Sequence, residues 1–156
     1  MGSHDVKLDV AAGCSLWLAD IGEPSNNELR VVVLEARPAP QPEQTLLGKA
    51  YPVRPDEKSR GFELIWDGYV AYSVRNESYF LREGGETLGH DLHKRTDSAF
   101  LNYVKTTTFA TDDHPGPLTH WSLYTDWHCI DVVSAEPPQV RRLDASATAK
   151  YVATSM

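Results

Sequence analysis

Cysteine is scarce in this chain of 156 residues, and the two present, Cys14 and Cys129, lie far apart and form no CxxC pair. Their spacing excludes a disulfide-stapled miniature fold and a thioredoxin-type redox motif. With no export signal ahead of them, two reduced buried thiols in the cytoplasm are the expectation. Long apolar runs are also missing. Val10 to Ala19 is broken by Gly13, Cys14 and Ser15 and preceded by Asp5 and Asp9, so it is neither a signal peptide nor close to the ~18 apolar residues of a membrane span. Ala11-Ala12-Gly13-Cys14 has the form of a lipoprotein cleavage site without the hydrophobic stretch that must precede one.

Basic charge is in deficit. Fifteen Lys and Arg against twenty-two Asp and Glu give a formal charge of −7, which repels phosphate backbones and anionic membranes. The expected partner is therefore a protein, a basic one by charge, and not nucleic acid or a membrane. There is no glycine-rich phosphate loop, no GxSxG and no Walker sequence, and no cofactor is expected. Residues 1–5 read as the remnant of an expression tag, which removes His4 from any site argument.

What is present points to a β-rich domain. Hydrophobic residues make up 41% and charged residues 24%, as in an ordinary globular chain, and the length suits one domain. Cys14–Asp20 and Leu29–Ala36 read as strands separated by the turn formers Gly22 to Asn27. The run Val31-Val32-Val33 suits a strand buried on both faces. Residues 37–55 hold five of the ten prolines and read as an extended surface connector. From Phe62 to Tyr79 two alternating runs flank Asp67-Gly68, the signature of a two-residue hairpin turn. That register pairs Trp66 with Tyr69, Leu64 with Ala71 and Phe62 with Ser73, and it extends the aromatic face to Arg75.

Farther along, Asp97 or Ser98 can cap a short helix over 98–105 with Phe100, Tyr103, Val104 and Thr107 on its inner face. A second hairpin turns at Asp126-Trp127. It puts Trp121, Leu123, His128, Ile130 and Val132 on one face, and His120, Ser122, Tyr124, Cys129, Asp131 and Val133 on the other. A last short strand covers Val140–Leu143, and 144–156 read as a loosely held tail. The sum is a mainly β fold, an antiparallel two-sheet sandwich or open barrel with one short helix. The alternative is an α+β layer with that helix packed on one antiparallel sheet.

Three functional readings follow. In the first, the domain binds a partner protein without catalysis, through the loop-tip Trp127 and the acidic Asp112, Asp113 and Asp126; a stretch from Thr106 to Val140 without Lys or Arg supports it. In the second, Trp66, Tyr69, Arg75 and Glu77 bind a sugar or another small polar molecule, with aromatic walls and charged recognition groups. In the third, a metal-assisted or acid-base hydrolase is built on His120, Ser122 and Asp131, with His128 nearby; Ser122 lies opposite Asp131 and His120 diagonal to both. Yet Ser122 sits in mid-strand, away from the sharp turn that a nucleophile needs. No metal is expected, and His90 and His93 are the HxxH pair that would hold one.

Overall fold

The computed structural model describes residues 7–81 and 91–155. In chain order the strands are β1 (Ser15–Gly22), β2 (Leu29–Pro38), β3 (Glu43–Thr45), β4 (Gly48–Ala50), β5 (Val53–Arg54), β6 (Gly61–Trp66), β7 (Tyr69–Asn76), β8 (His93–Arg95), β9 (Thr119–Tyr124), β10 (His128–Ser134) and β11 (Gln139–Arg142). A 3-10 turn covers Glu77–Tyr79, and the helices are α1 (Ala99–Thr107) and α2 (Ala145–Ser155). All strand pairs are antiparallel. Sheet I runs β1-β2-β6-β11 with β5 added to the end of β2; sheet II runs β7-β10-β9-β8; β3 and β4 form a separate two-stranded arm.

The two sheets face each other across one core. Alternation along each strand supplies it: Leu29, Val31 and Val33 from β2, Phe62, Leu64 and Trp66 from β6, Trp121 and Leu123 from β9, and Ile130 and Val132 from β10 are all buried in one cluster. The opposite face of sheet II is covered at one end by α1, whose Leu101 and Val104 pack on Leu118 and Val133. On the far side of the molecule α2 lies over sheet I, with Thr148 and Val152 buried. The result is an open sandwich with a helix outside each sheet.

The β9–β10 hairpin has the expected register. Ser122 pairs with Asp131 and Cys129 with Tyr124, and Thr125 meets His128 around Asp126-Trp127. The Asp67-Gly68 turn does something different from the expectation. It reverses the chain, but β6 and β7 do not pair: Trp66 pairs with Leu29 of β2, and Tyr69 with Ser134 of β10. The turn hands the chain from one sheet to the other, and the Tyr69 N–H goes to the Asn27 carbonyl, at 3.3 Å. β6 pairs on both sides, with β2 and β11, and β7 on one, with β10, all neighbours brought from elsewhere in the chain.

Three further expectations change. Residues 37–55 are not a plain connector, since they fold into β3, β4 and β5. The tail is not loose, since 145–155 form α2, begun by the Asp144 carboxylate accepting the Ala147 N–H at 2.8 Å. On the inner face of α1 the expected Phe100 and Val104 are joined by Leu101, while the expected Tyr103 is 61% exposed and Thr107 is exposed. Ser98 caps α1 and is also tied to His120 below it, which sets the rotation of the helix.

Candidate functional site

The outer face of sheet II beyond α1 gathers the polar residues that the β9–β10 alternation singles out. His120, Ser122 and Asp131 are each at most 2% exposed. Asp131 Oδ1 lies 2.7 Å from His120 Nε2 and 3.3 Å from Ser122 Oγ, and Asp131 Oδ2 accepts from the Arg75 guanidinium at 2.7 Å. On the other side of the imidazole, Nδ1 is 2.6 Å from Ser98 Oγ. The Leu101 N–H donates to that same oxygen at 3.0 Å. The chain of bonds runs from the N-terminus of α1 through Ser98, His120 and Asp131 to Arg75 on β7.

Burial alone would raise the Asp131 pKa. The hydrogen bond from His120, and then that from Arg75, outweigh it and hold the carboxyl below its ordinary value of 3.8. Arg75 also stacks over Phe80, 4.7 Å from the ring centroid.

Serine, histidine and aspartate in hydrogen-bonded series have the connectivity of a nucleophilic relay, but the setting is that of a brace. Ser98 is 3% exposed and its oxygen is engaged as a helix cap. Ser122 shares Nε2 with Asp131 rather than taking the opposite nitrogen. The cavity beside them, bounded by Arg75, Phe80, Arg95, Tyr124 and the relay itself, holds about 10 Å³. That is room for one water molecule.

The residues named for a small polar ligand do not meet. Trp66 is sealed in the core, and Arg75 is on the outer face of sheet II, not on the aromatic face. The Tyr69 hydroxyl donates to Glu23 at 2.6 Å, a bond that pushes its pKa up to about 12, and Glu77 is exposed in the 3-10 turn. Among the described residues no three His, Cys, Asp or Glu side chains are placed to hold a metal. His93 is on β8 opposite Ser122, and His90 lies outside the described residues. Cys14 and Cys129 are both buried, and burial pushes the Cys14 thiol up. Among the described residues no helix is long and apolar enough to cross a membrane.

A second constellation lies at one end of the sandwich. The chain leaves β2 at Pro38 and returns at Val53, where the Ala39 N–H meets the Pro52 carbonyl at 2.8 Å; between them projects the β3–β4 arm. At its tip Leu46 and Leu47 are fully exposed, and Tyr51 at its base is 58% exposed. Pro38 and Val53 also line an open groove of about 430 Å³ with residues 10–15. Trp127 stands beside that segment. The Asp126 N–H donates to the Leu16 carbonyl at 2.9 Å, and Ser15 Oγ donates to the Asp126 carboxylate at 2.7 Å, which clamps the β9–β10 turn to the start of β1.

Trp127 and Asp126 thus share one end of the molecule with the arm, whereas Asp112 and Asp113 are exposed in the loop before β9, off the other end of that strand. Leu46 and Leu47 are residues that sequence reasoning passes over, and it reads Ser98 as a helix cap without its bond to His120. Leu46-Leu47 had a signal, two large apolar residues before a glycine inside a polar, proline-rich stretch. No protein-family model, curated protein or solved structure matches this chain.

Proposed function

We propose that this domain acts by binding a partner protein through the end that carries the β3–β4 arm and Trp127, without a catalytic step of its own. The observation that carries the reading is the pair Leu46 and Leu47, wholly exposed at the tip of a two-stranded arm. A leucine side chain left in water forgoes roughly 1.5–3 kcal/mol that burial against a partner recovers. Single exposed apolar residues are ordinary, but here two adjacent leucines, Tyr51, the 430 Å³ groove and the 58%-exposed Trp127 occupy one end. The charge of −7 favours a basic partner and speeds its encounter at low salt.

The test is affinity capture from the native host at low salt with three baits: wild type, the double variant Leu46→Asp/Leu47→Asp, and Trp127→Ala. A partner retained by wild type and lost from both variants, with melting temperatures unchanged, is the expected result. Retention of the same proteins by all three baits, or none by wild type, overturns the reading.

A further inference from the structure

Phe109 is fully exposed at the end of the sandwich opposite the arm, and the backbone on both sides of it is anchored. Behind it the Thr108 N–H and hydroxyl both bond to the Val104 carbonyl, closing α1. Ahead of it Ala110 packs on the cluster of Leu101, Val104, Leu118 and Val133. Between these two anchors the ring stands in water, and Tyr103 in the preceding helix is 61% exposed. The turn that follows is closed by the Thr111 N–H to the His114 carbonyl at 2.8 Å and the His114 N–H to the Thr111 carbonyl at 3.1 Å, which puts the exposed Asp112 and Asp113 at its tip. A phenyl ring held out by a fixed backbone forgoes apolar burial that a partner recovers.

The charge around this ring is of one sign. Strand pairing brings four loops to this end: Leu29 lies opposite Trp66, Gln139 opposite Ile65, and Ser134 opposite both Tyr69 and Thr119. Residues 23–28, 67–68, 108–118 and 135–138 therefore project together, and a methyl carbon at Gly116 would lie 3.8 Å from the Ala135 side chain. They hold Glu23, Glu28, Asp67, Asp112, Asp113 and Glu136, and none of the chain's fifteen Lys and Arg residues. Arg30 and Arg141, which flank these loops, are both committed to Glu63, and Lys105 on α1 is the opposing charge. The C-terminal carbonyls of α1 add to the negative field. At the arm end the signs are mixed, with Arg54 paired to Glu43, Arg37 to Asp56 and Arg60 to Glu35. The chain's surplus of negative charge thus lies opposite the arm.

We infer that this end is a second docking surface, separate from the arm, and that its occupant is an arginine-bearing segment of a protein, with one guanidinium laid on Phe109 and its neighbours met by Asp112 and Asp113. The ring face attracts a cation, and a planar guanidinium covers it better than a compact ammonium does. Six carboxylates on four loops draw such a segment in and hold off acidic chains, while the ring fixes where it settles. This surface stands whether or not the arm takes a partner; with the arm, it lets one domain hold two chains at opposite ends.

Fluorescence anisotropy of a labelled oligo-arginine peptide titrated with the purified whole chain tests this. The expected result is saturable one-to-one binding at low salt that weakens steeply as salt is raised. Phe109→Ala is expected to weaken it about two- to fivefold, Asp112→Asn/Asp113→Asn about tenfold, and Lys105→Gln to tighten it. Glu57→Gln/Glu77→Gln removes as many charges from exposed positions at the arm end and is expected to leave the affinity within about twofold. The leucines of the arm are intact in every variant, so the outcome is read apart from that of the capture from the host. No saturation by the peptide, or binding indifferent to Phe109→Ala, or equal weakening by the Asp and the Glu pairs, overturns the inference.

Discussion

Each sheet of the sandwich carries a buried carboxylate in mid-strand on its outer face, and each of these links the sheet to its own helix, but by different chemistry. On sheet II, Asp131 reaches α1 through His120 and the cap residue Ser98. On sheet I, Glu63 takes Arg30 at 2.6 Å and Arg141, and Arg30 extends to the Tyr151 hydroxyl of α2 at 2.9 Å. Burial would raise the Glu63 pKa too, and the bonds from Arg141 and then Arg30 hold it down instead. The partners differ in their freedom. Arg141 is 71% exposed and can turn to water, whereas the His120 side chain is 3% exposed and cannot. An ion pair closed by long cations from the surface is a clasp; one closed by an imidazole beneath a helix cap is part of the frame.

Acid gives the largest expected effect on both centres. Asp131, Glu63 and Glu35 all have pKa values lowered from their ordinary 3.8 or 4.5. The unfolded chain therefore takes up their protons first. Their stabilisation is complete above the ordinary values and is lost as pH falls through 4.5, then 3.8, toward the lowered native values. Urea midpoints measured from neutral pH downward should be steady until about pH 5 and then decline. The double variant Glu35→Gln/Glu63→Gln should retain only the later part of that decline, which belongs to Asp131. A midpoint independent of pH down to about 3 would break the account of both centres.

Truncation separates the two. Asp131→Ala strands a buried imidazole and should cost about 3 kcal/mol in urea unfolding. Glu63→Ala releases arginines that can hydrate, and about 1–2 kcal/mol is expected. Equal losses would mean that the solvent access of the partners does not matter. The smallest effect belongs to the helix end of the relay: Ser98→Ala removes a cap and should cost about 1 kcal/mol. Amide exchange should then accelerate in the first turn of α1 and leave α2 unchanged.

The β9–β10 half of sheet II is readable in detail because period-two alternation runs unbroken through Thr119–Tyr124 and His128–Ser134, and the turn at Asp126-Trp127 leaves one register that buries Trp121, Leu123, Ile130 and Val132 together; the partners on either side, β7 and β8, are not. The same reasoning failed at Asp67-Gly68. A turn signal specifies a reversal of direction, and nothing local says whether the strands on either side stay in one sheet. Arg75 was consequently assigned to the aromatic face, and its pairing with Asp131 was not foreseen. The helix α2 was hidden by its composition. Ala145, Ala147, Ala149 and Ala153 favour a helix but give almost no apolar stripe, so the signal was propensity and the Asp144 cap rather than periodicity. Ser98 is legible as a cap, but its second bond, to a histidine twenty-two residues away, is a matter of tertiary placement.

The seat of α2 is decided by a residue with no side chain. A methyl group at Gly61 would come within 3.0 Å of Thr148 Oγ1 and 3.1 Å of Leu143 and Leu34 at once, and Thr148 is itself fixed by a bond to the Asp144 carbonyl. The backbone there needs no unusual angle; only the missing carbon matters. Position 61 therefore acts as a gauge for the spacing between strand and helix, so that selection for a wider or narrower gap can work through one atom in β6 while every residue of α2 stays the same.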